Sequence, residues 1–188
     1  MTDLDFSTAI QRNPCNKELL VRLGRMGLGE CYLTAGCLFQ TIWNEISGQA
    51  PEWGIKDYDI FYFDDRDLSW EAEDQVVRRV AAETSDLFIE VEIKNQARVH
   101  LWYGNRFGGN YPQLRSTRSA IDLYLISCTC VGIEVETGNV YAPDGLGDLV
   151  SGVLRMNPRN PKPDLFRQKA ESYRVRWPWL KIIEGQLP

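Results

Sequence analysis

Long apolar runs are absent from the 188-residue sequence, whose uninterrupted apolar stretches are only a few residues long. A helix that spans a membrane needs roughly 18 to 20 consecutive apolar residues, so the sequence predicts no such helix. The basic and apolar segments of a secretory signal are also lacking, because the sequence starts with the acidic stretch from Met1 to Asp5. We therefore expect a cytoplasmic protein.

Cysteine patterns that would indicate disulfides or zinc are missing as well. The five cysteines are an odd number. Cys128 and Cys130 are separated by a single residue, and no second Cys or His pair is nearby. Basic clusters are lacking too, because the net charge is −5 and Lys and Arg are dispersed. This composition argues against an extended nucleic-acid surface and favours a small, metal-bound substrate.

What is present is the composition of an ordinary globular protein, with 44% hydrophobic and 25% charged residues. A chain of 188 residues is long enough for one sizeable core and short for two. We therefore predict one domain over residues 1–188. In this prediction, residues 1–27 form an N-terminal helical addition and residues 160–188 contain a C-terminal helix.

Helical and strand patterns alternate along the chain, which favours a mixed α/β sheet. Helix starts are marked by Asn13 before Pro14 and by Ser69 before an acidic turn. The strand-like runs 88–93 and 99–103 are compatible with either a bent strand or a hairpin. The predicted helices cover residues 14–26, 38–46, 70–83, 116–126, 145–150 and 164–176, and the predicted strands cover residues 31–34, 58–63, 88–93, 99–103, 129–135 and 140–141.

The stretch from Lys56 to Phe63 carries two aspartates, Asp57 and Asp59, at the start of a predicted strand. Because strand side chains alternate in direction, both carboxylates project to the same side. Like charges held this close repel each other unless a cation lies between them, and Mg²⁺ or Mn²⁺ accepts such oxygen ligands. The alternative interpretation is a pair of solvated residues at the entrance of a strand.

A glycine turn, Thr34-Ala35-Gly36-Cys37, lies between the preceding strand and helix. Backbone N–H groups at the start of a helix bind phosphate well, and glycine permits close approach of the ligand. The sequence therefore places a possible phosphate site one strand away from the paired aspartates.

This order of elements resembles the nucleotidyltransferase fold of the polymerase-beta type. More specifically, residues 32–40, 54–59, 91–103 and 173–180 resemble an uncharacterised bacterial family of nucleotidyltransferase-like proteins, and the likeness covers most of the chain from about Leu20 onward. The resemblance implies a mixed sheet flanked by helices, a nucleoside triphosphate facing the glycine turn, and Mg²⁺ or Mn²⁺ held by the aspartates. The turn reads Ala-Gly-Cys here, where the superfamily usually has Gly-Gly or Gly-Ser.

A third carboxylate on a neighbouring strand would complete the metal set, and Glu90 and Glu92 are the candidates. Both share one face of their predicted strand, so periodicity does not choose between them. We prefer Glu92 because it belongs to a segment that resembles the family. The predicted catalytic residues and metal ligands are therefore Asp57, Asp59 and Glu92.

The predicted nucleotide-binding residues are Gly36, Cys37, Lys56 and Arg98. Arg98 offers a fork of donors for a triphosphate, and Lys56 offers a point charge. Gln96, Arg98 and His100 would line one face if this stretch were a single strand. His100, between two apolar residues, is better interpreted as a partly buried residue than as a catalytic base.

The predicted activity is the transfer of a nucleoside monophosphate from a nucleoside triphosphate to an unidentified acceptor, with Mg²⁺ or Mn²⁺ as cofactor. The alternative is a catalytically inactive nucleotide-binding or interaction protein on the same scaffold. The altered glycine turn and the open choice of the third carboxylate favour this alternative.

Overall fold

Five strands form a mixed sheet in the computed structural model, which describes residues 1–183. The order across the sheet is β3-β2-β1-β4-β5, and β1 pairs antiparallel with both β2 and β4. Strands β2 and β3 are parallel, and β4 and β5 form an antiparallel hairpin. The strands are β1 (Tyr32–Thr34), β2 (Asp57–Tyr62), β3 (Glu90–Asn95), β4 (Gly132–Glu134) and β5 (Val140–Tyr141). The predicted mixed α/β sheet is confirmed.

Among residues 1–183, eight α-helices flank this sheet, and a small parallel pair of strands forms a second sheet. Asn13, Ser69 and Ser116 cap α2, α4 and α6 through their side chains. The helices are α1 (Asp3–Ile10), α2 (Pro14–Gly24), α3 (Gly36–Ile46), α4 (Trp70–Thr84), α5 (Val99–Phe107), α6 (Thr117–Ile121), α7 (Gly147–Ser151) and α8 (Pro163–Arg176); the pair is β6 (Val153–Arg155) with β7 (Lys181–Ile183).

The core is centred on α3, because most of this helix is buried on all sides. The ring of Trp43 lies 5.3 Å from that of Trp177 at the end of α8. Both indole N–H groups are satisfied: Trp43 donates to the carbonyl of Leu149 and Trp177 donates to the side chain of Asn44, each at 3.0 Å. Buried Trp side chains with paired N–H groups fix α8 against α3.

Two sequence predictions about this fold are wrong. Residues 99–103 belong to helix α5 and not to a strand. Strand β3 ends at Asn95, whose side-chain oxygen accepts hydrogen bonds from the N–H groups of Asp64 and Ala97 and so stabilises a turn. Gln96, Arg98 and His100 therefore do not share the face of one strand.

The predicted helix 116–126 ends at Ile121. The carbonyl groups that would continue it are taken by other residues: Asn157 donates to the carbonyls of Asp122 and Tyr124, and Asn160 donates to that of Leu123. Side-chain amides that compete for backbone groups end a helix. Helix α1 lies within the predicted N-terminal helical addition over residues 1–27, although no separate helix was predicted before Pro14.

The structure also bears on membrane-spanning helices and on the cysteines. Within residues 1–183, no helix is both long and apolar enough to cross a membrane. All five cysteines are free thiols in the structure, and all except Cys15 are buried.

Candidate active site

Asp57 and Asp59 lie on the same face of β2, because alternate residues of this strand, Tyr58 and Ile60, are buried on the other face. In the register of the sheet, Asp59 is opposite Thr34 on β1 and Glu92 on β3. The carboxylates therefore lie beside the end of β1, where the chain turns into α3.

The turn into α3 brings free backbone donors next to this carboxylate pair. Ala35 has φ 62° and ψ −141°, a backbone conformation that glycine adopts far more easily than alanine, so the turn is strained. Helix α3 starts at Gly36, and no side chain caps it. The N–H of Leu38 donates to the carbonyl of Ala35, whereas the N–H groups of Gly36 and Cys37 have no partner within the helix and favour an anion.

The side chain of Cys37 does not take part in this site. It is fully buried, and its thiol donates a hydrogen bond to the carbonyl of Thr34 at 3.1 Å. Burial raises the pKa of this thiol well above its usual value. Only the backbone of Cys37 is therefore able to contact a ligand at the start of α3.

A cavity of about 620 Å³ opens at this point and has a size typical of ligand sites. Ala35, Gly36, Asp57 and Asp59 form one wall. A second wall comes from α8 and the segment before it, and includes Lys169. The cavity thus brings the paired carboxylates, the glycine turn and basic side chains together.

The electrostatics of the carboxylate wall are unfavourable without a counterion. Burial, followed by the negative charges of Asp57 and Glu92, raises the pKa of Asp59 to about 7. Lys169 and Lys94 act in the opposite direction and only partly compensate. A cation between the carboxylates would remove this repulsion.

The donor set fits a hard divalent cation such as Mg²⁺. Among residues 1–183, no three His, Cys, Asp or Glu side chains are grouped so that they could hold a metal ion by themselves. Mg²⁺ is commonly bound by one or two carboxylates, with waters and substrate phosphates as its other ligands. Asp57 and Asp59 at the edge of an open cavity match that pattern.

Glu92 and Glu90 occupy the neighbouring strand β3. Glu92 pairs in register with Asp59 and Glu90 with Asp57, so both lie on the carboxylate face of the sheet. Both are exposed, and neither lines the cavity. Of the two, Glu92 is the one whose negative charge raises the pKa of Asp59.

The structure does not bring Lys56 and Arg98 to the cavity wall. Lys56 is exposed just before β2. Arg98 is buried and forms an ion pair with Glu73, and its Nε also donates to the carbonyl of Leu68. Glu73 in turn accepts a hydrogen bond from the N–H of Asn95 at 2.8 Å. These contacts give Arg98 a role in attaching α4 to the end of β3.

Several cavity residues were not predicted from the sequence. Lys169 projects from α8 with its Nζ 5.3 Å from the ring centroid of Tyr173, and it forms no ion pair with the residues that the structure describes. Arg159 also lines the cavity but is held by Asp144. Helical periodicity places Lys169 beside the inward-facing Ala170 and Tyr173, but periodicity alone does not show which cavity it borders.

Tyr124 lies close to the carboxylates at the base of the cavity. Thr34 donates its hydroxyl proton to the carbonyl of Val131 at 2.6 Å, so Tyr124 donates to the Thr34 oxygen at 3.1 Å. The Tyr124 hydroxyl therefore links the end of β1, next to Asp59, to residues 122–124. The carbonyl groups of Asp122 and Tyr124 accept hydrogen bonds from the side chain of Asn157.

Comparisons with known proteins bear on the fold and the family of the chain. No curated protein sequence matches the chain. An NMR structure described as revealing a CCA-adding enzyme head domain is similar in fold, with a TM-score of 0.75 and 22% sequence identity over 97% of this chain and 96% of that one. A family model described as nucleotidyltransferase matches residues 22–182. The protein therefore belongs to this nucleotidyltransferase family, as the sequence resemblance implies.

Proposed function

We propose that the protein is a metal-dependent nucleotidyltransferase, which transfers a nucleoside monophosphate from a nucleoside triphosphate to the hydroxyl group of an acceptor. The observation that carries this proposal is the meeting of Asp57, Asp59 and the uncapped start of α3 at one cavity. Family membership supports the same reaction class.

In the proposed complex, the triphosphate lies between the two walls of the cavity. The N–H groups at the start of α3 donate hydrogen bonds to its phosphate oxygens. Lys169 approaches from α8 and contributes a positive charge on the other side. Glycine at position 36 also leaves room for the side-chain amide of Gln40, whose Nε2 would lie 2.5 Å from an added Cβ.

Asp57 and Asp59 would hold Mg²⁺ or Mn²⁺, with Glu92 as the proposed third carboxylate. A bound divalent ion supplies neutralisation of phosphate charge and a lowered pKa for the acceptor hydroxyl. The acceptor oxygen forms a bond to the α-phosphorus, the bond from that phosphorus to the β-phosphate oxygen breaks, and pyrophosphate leaves while the hydroxyl proton passes to water.

A thermal-shift screen tests the binding part of this proposal. A ligand that binds only the folded protein raises its melting temperature. We expect nucleoside triphosphates to raise it in the presence of Mg²⁺ or Mn²⁺ and to have little effect in a chelator. Equal shifts with and without the metal ions, or no shift with any of the four triphosphates, would contradict the proposal.

A second candidate is an inactive nucleotide-binding protein on the same scaffold. The observation that favours it is the position of Glu92, which is exposed and does not line the cavity. The two candidates differ in pyrophosphate release, since a transferase also reacts slowly with water as the acceptor. Metal-dependent binding without release of pyrophosphate over many hours would favour the inactive protein.

A further inference from the structure

Part of the cavity lining is aromatic. Tyr103 on α5 and Tyr111 in the following loop both line the cavity that contains Asp57 and Asp59. Their ring centroids are 4.6 Å apart with an interplanar angle of 33°. No step of the proposed transfer uses these two side chains.

Two further rings lie beside these tyrosines but outside the cavity. Phe107 lies 5.1 Å from Tyr103, and Trp102 lies 6.3 Å from Phe107. Neither Phe107 nor Trp102 lines the cavity, and Phe107 is 60% exposed. The rings thus form one packed cluster, of which only the two tyrosines contact the cavity.

The chain segment that contains this cluster has a charge that suits an anionic ligand. Residues 94–121 contain no Asp or Glu, although the whole chain has a net charge of −5. The same segment carries the basic residues Lys94, Arg98, Arg106, Arg115 and Arg118. Arg98 and Arg118 are engaged with Glu73 and Glu134, so the local excess of positive charge comes mainly from the other three. A polyphosphate ligand is therefore not repelled from this side.

We infer that Tyr103 and Tyr111 form a stacking seat for the nucleobase of the nucleoside triphosphate. This inference rests on the proposed function, which places the phosphates beside Asp57, Asp59 and the start of α3 in the same cavity. Aromatic side chains bind bases through their faces, which every base has, so stacking gives affinity with little sequence preference. The seat accepts all four bases and favours purines, because their stacking area is larger.

The test compares two ligands that share the phosphates and differ in the base. Binding of ATP and of inorganic tripolyphosphate is measured with Mg²⁺ on the full chain by titration calorimetry. Replacing Tyr103 by Leu removes a stacking face, and we expect it to weaken ATP binding roughly ten-fold while tripolyphosphate binding stays within about two-fold. Tyr111→Leu should behave in the same way.

Matched variants separate stacking from general damage to the wall. Tyr103→Phe keeps the ring and should bind ATP within about two-fold of the unmodified protein. Phe107→Leu removes a ring of the same cluster and the same helix that does not reach the cavity, so it should leave both ligands unaffected.

Three results would overturn the inference: an equal loss of ATP and tripolyphosphate affinity in Tyr103→Leu, no loss of either, or an equal loss of ATP affinity in Phe107→Leu. The two proposals fail in distinguishable ways. If the unmodified protein binds neither ligand with Mg²⁺, the proposed function fails and the seat fails with it. If tripolyphosphate binds and Tyr103→Leu binds ATP normally, only the seat is wrong.

Discussion

The two walls of the cavity that contain charged side chains are built in different ways. The carboxylate wall comes from neighbouring parts of the sheet, because Asp57 and Asp59 are two positions apart on β2 and pair with the end of β1. The basic wall comes from α8, far along the chain, and Lys169 reaches the cavity because Tyr173 and Trp177 pack that helix against α3. The first wall depends on local periodicity, and the second depends on tertiary packing.

This difference predicts different consequences of substitution. A change in the carboxylate wall removes a ligand from the cation and should affect chemistry most. A change in the basic wall removes one of several phosphate contacts and should affect binding moderately. The predictions below test this ranking.

Replacing Asp57 by Asn should have the largest effect. It removes one of two hard oxygen ligands, and we expect pyrophosphate release to fall on the order of 1,000-fold, since several kcal/mol of charge stabilisation are lost. Calorimetric heats of Mg²⁺-dependent nucleotide binding should disappear, while circular dichroism shows a folded protein. The exposed Asp65→Asn serves as a control with no expected effect. Binding heats unchanged in Asp57→Asn would remove the carboxylate wall from the mechanism.

Replacing Arg98 by Met should affect stability and not the site. The change leaves Glu73 buried without its partner, so we expect the free energy of unfolding to fall by about 3 kcal/mol. Urea unfolding measures this loss, and the double variant with Glu73→Gln should recover part of it. Nucleotide affinity of the folded variant should not change. A selective loss of affinity at full stability would instead support the predicted nucleotide-binding role of Arg98.

Asp59→Asn should stabilise the protein in the absence of metal ions. The pKa of Asp59 in the folded protein, about 7, lies above its ordinary value of 3.8, so the folded state holds this proton more tightly than the unfolded state. Stability contributed by the proton is present below about pH 4 and is lost as the pH rises to about 7.

We therefore expect the Asn variant to be more stable than the unmodified protein by a few kcal/mol at pH 8, with the difference fading towards pH 4. Thermal unfolding in a chelator across this pH range measures the difference. Added Mg²⁺ should reverse the order by stabilising the unmodified protein. Parallel pH profiles for the two proteins would show that Asp59 does not experience the repulsion described above.

Replacing Lys169 by Met should have the smallest effect of the four. It removes one positive charge from the basic wall, and we expect triphosphate binding to weaken roughly ten-fold, the equivalent of one charged hydrogen bond. Lys17→Met provides a control, because Lys17 is exposed and does not line the cavity. A loss as large as that of Asp57→Asn would show that the two walls contribute equally.

The same contrast explains what the sequence alone was able to predict. Alternation on β2, the strand-turn-helix around Gly36 and the resemblance to nucleotidyltransferases identified the mixed sheet and the two aspartates on one face of β2. The helix over residues 99–107 was not predicted, because its apolar residues also fit a strand and the decisive contacts of Asn95 involve a distant loop. The ion pair between Arg98 and Glu73 joins residues 25 positions apart, and no local pattern indicates it.

The contributions of Lys169, Tyr103 and Tyr111 to the cavity have the same origin. Each lies on an element whose position depends on packing against other parts of the chain, so its neighbours become visible only in the folded structure. Cys37 shows the converse case, because its place in the glycine turn suggested a ligand contact and its thiol is buried against the carbonyl of Thr34.

A crystal grown with Mn²⁺ and a nonhydrolysable nucleoside triphosphate tests the central claim most directly, because anomalous scattering locates the metal ion independently of the protein. We predict an anomalous peak within about 2.5 Å of carboxylate oxygens of both Asp57 and Asp59 and of at least one phosphate oxygen. A metal ion elsewhere, or a nucleotide bound outside this cavity, would contradict the account.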